Sequence, residues 1–163
     1  MAKRVFSQTF GVVGAILEKG GKFLLVKEAH AATRDKGKWN QPAGWIEVGE
    51  SPIEAIKHEV KEETGFEFTP THLLGIYSLV RKDIETPDRG LPHAIKIIFI
   101  GKIKESGQKH NKNEISEIRW FTPMEIEKMD LKTLRDLDIK KEVKDYLAGK
   151  KYPLDIITHT ISQ

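Results

Sequence analysis

Glu59, Glu62 and Glu63 fall at i, i+3 and i+4, so on an α-helix their carboxylates project from one side. Like charges at that spacing cost a helix roughly 0.2 to 0.5 kcal/mol per pair, and something should offset the repulsion. A hard divalent cation does this well. Mg²⁺ takes oxygen ligands in an octahedron and keeps water and substrate phosphate oxygens in the remaining positions. The competing reading is a solvated acidic face on which Lys57 and Lys61 pair locally. Taken alone, the cluster favours that second reading, because acidic patterns of this kind are common.

The helix that would carry the cluster is well marked. Ser51 is placed as N-cap, Pro52 at the first helical position and Glu54 three after the cap, which predicts a capping box. Gly65 is the expected C′ residue, with Pro70 a little beyond. Ile53, Ile56 and Val60 recur at helical spacing and predict one buried face. At about 100° per residue, Glu59 and Glu63 border that face and Glu62 sits farther round.

Around this helix the sequence reads mainly as strands. Phe6 to Leu17 and Phe23 to Val26, separated by Gly20-Gly21, predict a hairpin. Ala29 to Lys38 is a polar loop carrying Arg34, Lys36 and Lys38, and it delivers the chain to Trp39-Asn40-Gln41-Pro42-Ala43-Gly44. Leu73 to Val80 and Ile95 to Ile103, joined by the polar stretch Arg81 to Pro92, are further strands, as is Ile115 to Phe121. Thr122-Pro123-Met124-Glu125 predicts a second capping box and a short helix, and Leu134 to Leu147, closed by Gly149, another helix. Strands, helix, strands, helices in one domain, residues 1–163, predict an α+β (mixed α/β) fold.

Composition removes several classes of function. The 163 residues carry 27 Lys+Arg and 24 Asp+Glu, net +3, an excess too small to indicate a nucleic-acid stripe and equally suited to a small polyphosphate. With no cysteine there is no disulfide scaffold, Cys-ligated zinc, Cys-held iron-sulfur cluster or thiol nucleophile. The six histidines show no metal-ligand spacing. Lys3 and Arg4 precede the apolar run Phe10 to Leu17, but Ser7, Gln8 and Thr9 intervene and Glu18 ends it, a poor match to a secretion signal. No stretch approaches the ~18 apolar residues of a membrane span. A soluble cytoplasmic protein is expected.

The flanks of the acidic helix decide between its two readings. Gly44, five residues, Glu50, seven residues, His58-Glu59-Val60, one residue, Glu62-Glu63, one residue, then Gly65-Phe66 resembles the Nudix box at every position except one, where the family has Arg and this chain has His58. Trp39-Asn40-Gln41-Pro42-Ala43-Gly44 and Tyr152-Pro153-Leu154 are similar to a bacterial branch of Nudix phosphatases with broad action on nucleoside di- and triphosphates and the thiamin-precursor pyrimidine pyrophosphate.

The resemblance implies an αβα sandwich with a mixed central sheet and metal-dependent hydrolysis of a phosphoanhydride in a nucleotide or related pyrophosphate compound. By carry-over, Glu59, Glu62 and Glu63 hold Mg²⁺ or Mn²⁺, the Gly44 carbonyl adds a ligand, and Glu59 is the base that orients or deprotonates water. Glu50 ties its loop to the helix. Such enzymes take another carboxylate from a later loop; of Glu114 and Glu117, Glu114 is preferred. His58 is expected to orient Glu59 less firmly than arginine would, with at most two donors against five. From their loop positions Arg34, Lys38 and Arg81 are candidate phosphate contacts, and Trp39, Trp45 and Tyr77 candidate base-stacking rings, although scattered cations are mostly solvated and such rings mostly pack. The expected partner is a small phosphorylated substrate, a nucleotide, with no membrane, no stable nucleic acid and a homodimer allowed.

Related activities fit less well. The Nudix isomerase reaction on isopentenyl diphosphate needs a cysteine. The proline of ADP-ribose enzymes and the tyrosine of dinucleoside-polyphosphate enzymes are replaced by Arg81, Lys82 and Asp83. The alternative from another class is a non-catalytic Nudix domain that binds a nucleotide as sensor or regulator; such domains commonly lose box carboxylates, and here all are present.

Overall fold

Two features of β1 (Thr9–Ile16) organise the molecule: it is apolar enough to be covered on both faces, and it has a partner on each edge. The computed structural model describes residues 9–29, 35–82, 92–107 and 109–162. β2 (Glu18–Lys19) and β3 (Lys22–Glu28) form a hairpin in which Gly20 and Gly21 take φ of 61° and 78°. Two successive positive φ values suit a tight turn between twisted strands. β4 (Trp39–Asn40) and β5 (Ala43–Trp45) precede α1 (Pro52–Thr64). Then come β6 (Phe66–Val80), β7 (His93–Glu105), β8 (Ile115–Phe121), α2 (Pro123–Lys128), α3 (Asp138–Leu147) and a 3₁₀ turn at Leu154–Ile156.

The first sheet is mixed, in the order β5-β1-β7-β6, with β1 and β7 parallel and the outer pairs antiparallel. The second is antiparallel: β3 lies between β4 and β8 and also pairs with β2. Val13, Ala15, Leu73 and Phe99 on one face of the first sheet pack with Ile56 and Val60 of α1. Ile16, Leu74 and Ile98 on the other pack with Ile139 and Val143 of α3. The helix-sheet-helix arrangement is the α+β sandwich expected. Among the described residues no helix is long and apolar enough to cross a membrane.

Local signals hold where the interaction is local. Ser51 accepts from the Glu54 N–H at 3.2 Å, and Gly65, at φ 75°, donates to the Lys61 carbonyl at 2.9 Å. The second box closes completely, Thr122 accepting from Glu125 N–H at 3.2 Å while the Glu125 carboxylate accepts from Thr122 N–H at 2.7 Å. The first is half a box, because the Glu54 carboxylate turns to Lys57 at 2.8 Å.

Other expectations move. The helix expected from Leu134 begins at Asp138, because Thr133 and Arg135 are held by the backbone of Trp39, at 2.8 and 2.9 Å, and Leu134 goes into the core. β6 starts at Phe66 rather than Leu73. Pro70 is tolerated within it because β6 is an edge strand whose pairing shifts between Pro70 and His72. Of the strand expected from Phe6, residues 6–8 lie outside the described residues.

Candidate active site

α1 presents its carboxylates to β5, and two backbone contacts fix how. The Ala43 N–H donates to Glu63 Oε2 at 3.0 Å. At the next residue, a Cβ on Gly44 would overlap the carboxylate of Glu59, so that carboxylate occupies the space a side chain would need. The value of Gly44 therefore lies in its missing Cβ. Glu62 is exposed and lies farther round the helix, as its spacing requires.

The cluster extends beyond α1. Glu59 is pushed up to about 7, first by burial and then by Glu62, Glu114, Glu50 and Glu47. Glu63 is raised well above the usual carboxylate range by burial, against the Ala43 hydrogen bond, with Glu59 and Glu28 adding to the rise. Glu114 is thus near enough to push Glu59 up, whereas Glu117 pairs with Lys27 at 3.4 Å. The loop before β8 brings Glu114 in: Asn111 N–H donates to the Glu62 carbonyl at 2.9 Å, and Ala29 N–H to that of Glu114 at 2.7 Å. Glu28, at the end of β3, is a neighbour that no sequence motif marked.

The donors fit a hard divalent cation: they are all oxygen, burial and neighbouring carboxylates push Glu59 and Glu63 up, and Gly44 leaves its strand open to them. Among the described residues no three acidic or imidazole groups are already drawn to a common point.

His58 does not grip Glu59. Its Nδ1 lies 2.7 Å from Glu50 Oε1, and the side chain is largely exposed. Glu50 also accepts from Glu47 N–H at 3.4 Å, so the pair ties the preceding turn to α1. The ring is placed to hold a loop.

Across β5 from these carboxylates lies a cavity of about 360 Å³ whose lining includes Phe10, Trp45, Leu79, Ala94, Lys96, Arg81 and Asp136. Trp45 is 57% exposed and tilts at 39° against Phe10, ring centroids 4.6 Å apart. Trp39, expected to meet substrate, is instead a core residue, 6% exposed and edge-on to Phe121 at 4.9 Å. Its burial follows from β4 pairing with β3. Arg81 lines the cavity but is itself buried, with Asp35 at 3.2 Å and Asp136 at 3.1 Å, so its charge is engaged within the protein. Lys38 stands 3.8 Å from Asp35. Tyr77 faces elsewhere, donating to Asp145 at 2.9 Å. Arg34 lies outside the described residues.

Known proteins resemble this chain in sequence and fold. The NUDIX domain family model matches residues 7–143. Phosphatase NudJ of Escherichia coli strain K12 is 32% identical over 145 residues, 89% of this chain and 88% of that protein. A NUDIX hydrolase from Nitrosomonas europaea superposes with a TM-score of 0.81 at 33% identity, covering 94% of this chain and 98% of that one. The MutT protein from Methanosarcina mazei Go1 shares the fold, with a TM-score of 0.67 at 24% identity over 90% of this chain and 99% of that one. Agreement of that extent, with a family model and with relatives at 32% and 33% identity, places the chain in the Nudix hydrolase family.

Proposed function

We propose that this Nudix hydrolase cleaves a phosphoanhydride bond in a nucleoside di- or triphosphate, or in a related pyrophosphate compound, and that it needs Mg²⁺ or Mn²⁺. The observation that carries the reading is the seat of Glu59 against Gly44 beside the Ala43-bonded Glu63, with a cavity large enough for an organic group on the other side of β5. Glu59, Glu62, Glu63, Glu114 and the Gly44 carbonyl would hold the cation. What a cation supplies there is neutralisation of the phosphoryl oxygens, on which charge spreads as the bond breaks. Water adds to a phosphorus, the bridging P–O bond breaks, and Glu59 takes the proton that water loses. Trp45 and Phe10 offer apolar faces to a planar ring, which suits a nucleotide. Residues 1–163 are taken as one catalytic domain acting in the cytoplasm on a small phosphorylated compound, as a monomer or homodimer, without nucleic acid.

The test is release of phosphate against pyrophosphate from a panel of nucleotides and pyrophosphate esters, with Mg²⁺ or Mn²⁺ and with chelator. Metal-dependent release from at least one class is expected. Tight nucleotide binding without release would make the protein a sensor, and full activity in excess chelator would remove the cation from the reading.

A further inference from the structure

Behind β5, on the α3 face of the first sheet, lies a buried polar chain, one member of which, Lys96, also lines the cavity. Glu142 of α3 is 0% exposed, as is Gln41 in the turn between β4 and β5. Gln41 Nε2 donates to Glu142 Oε2 at 2.6 Å, and Lys96 Nζ of β7 donates to Glu142 Oε1 at 2.8 Å and to Asp138 Oδ2 at 2.6 Å. Gly14 of β1 lies beside the pair: a Cβ there would be in ordinary contact with Gln41 Nε2 at 3.5 Å but would stand only 2.8 Å from Ile98 Cδ1. Burying so many charges is a poor way to gain stability, since well-packed apolar groups often serve as well. Such groups do fix geometry.

What they fix is the strand that meets the carboxylates. From Gln41 the chain runs through Pro42, whose carbonyl accepts from Ala15 N–H at 2.9 Å, to Ala43 and Gly44, which meet Glu63 and Glu59. β5 is three residues long, lies at the edge of its sheet and, among the described residues, has only β1 as a strand partner. We infer that Gln41 and Glu142 are positioning residues: the grip of α3 on Gln41 sets the height of Ala43 and Gly44 against Glu63 and Glu59, and so the spacing of the cation ligands. This inference rests on the function proposed above.

The test compares the parent chain with Gln41→Met, which keeps length but has no donor, Gln41→Asn, which keeps the amide but falls a methylene short, and Glu142→Gln. In Glu142→Gln the bond to residue 41 can re-form if the Gln41 amide turns over and accepts, so this variant is the conservative rescue. Mn²⁺ binding is read from loss of the free-ion EPR signal without substrate, alongside kcat, KM and thermal melting. Loss of a group hydrogen-bonded directly to a ligand weakens a site about 10- to 100-fold, and Gln41 acts one step farther out, through the backbone of β5. Both Gln41 variants should therefore weaken Mn²⁺ binding and lower kcat about tenfold, KM changing by less, while Glu142→Gln stays near the parent. If one Gln41 variant does not fold, the other carries the test. A folded Gln41 variant that binds Mn²⁺ and turns over like the parent overturns the inference, as does one whose only change is a lower melting temperature. A parent that neither binds Mn²⁺ nor hydrolyses any phosphoanhydride overturns the proposed function, and the inference with it.

Discussion

The backbone N–H of Ala43 donates to the carboxylate of Glu63, joining an edge strand to a helix that begins nine residues later. That bond and the neighbouring seat of Glu59 over Gly44 make the acidic helix face a constrained surface, with two of its three carboxylates positioned by main chain.

Gly44→Ala tests the seat directly. The new methyl would overlap the Glu59 carboxylate, which must move aside by at least ~1 Å. A displacement of ~1 Å at a reacting group costs about a hundredfold, so turnover should fall by that order while the circular dichroism spectrum stays that of the parent. Parent-like turnover would show that Glu59 does not work from this position.

Activity should vanish with chelator and return with Mg²⁺ or Mn²⁺. Glu62→Gln and Glu63→Gln should each cut turnover by more than the about 10- to 100-fold typical of outer partners, and weaken Mn²⁺ binding in parallel. Glu54→Gln should be mild, because that carboxylate pairs with Lys57 on the surface. Equal small effects at all three positions would return the helix to the status of a solvated acidic face.

His58 should matter less than its place in the box implies. Its partner is Glu50, and an exposed pair of this kind contributes less than about 1 kcal/mol. His58→Ala should leave Mn²⁺ affinity unchanged and lower stability only slightly, and His58→Arg should keep the pair to Glu50. A large rise in turnover in His58→Arg, measured from pH 6 to 9, would instead indicate a hold on Glu59.

Asp145 makes a prediction about pH and stability. Burial opposes its ionisation, but hydrogen bonds from Lys141, Lys150 and Tyr77 outweigh it and hold the group at about 2, below its ordinary 3.8. A carboxylate depressed by folding stabilises the fold fully above its unfolded pKa and loses that contribution as pH falls through the folded one. Asp145→Asn should therefore be less stable than the parent at neutral pH, with the gap closing between about pH 4 and pH 2. Urea melts across that range measure it, and a gap of constant size would exclude the charge as its source.

Legibility in the sequence followed the range of each interaction. The caps of α1, its buried face and the placement of Glu59, Glu62 and Glu63 depend on residues within a few positions of one another, and spacing alone conveyed them. Glu114 came from likeness to a family, since nothing local distinguishes it from Glu117. Glu28 carried no signal, because only the pairing of β3 with its neighbours brings it near Glu63. Trp39 is buried for the same reason: whether a ring packs or faces a ligand depends on the strand pairing around it. The Gln41–Glu142 bond joins residues 101 apart.

The parallel pairing of β1 with β7 also bears on how the protein comes to be folded. Val13 faces Gly44 on one side and Ile97 on the other, so the strand that supports β5 gains its second neighbour only after most of the chain has been made. Parallel partners cannot be closed by a short turn, and distant pairings of this kind slow folding because the loop must be ordered before contacts reward it. During synthesis at the ribosome the acidic helix emerges while β1, the strand that supports β5, still lacks β7. Hydrolytic competence should therefore arrive as a late event in the maturation of the chain, once β7 has closed on β1.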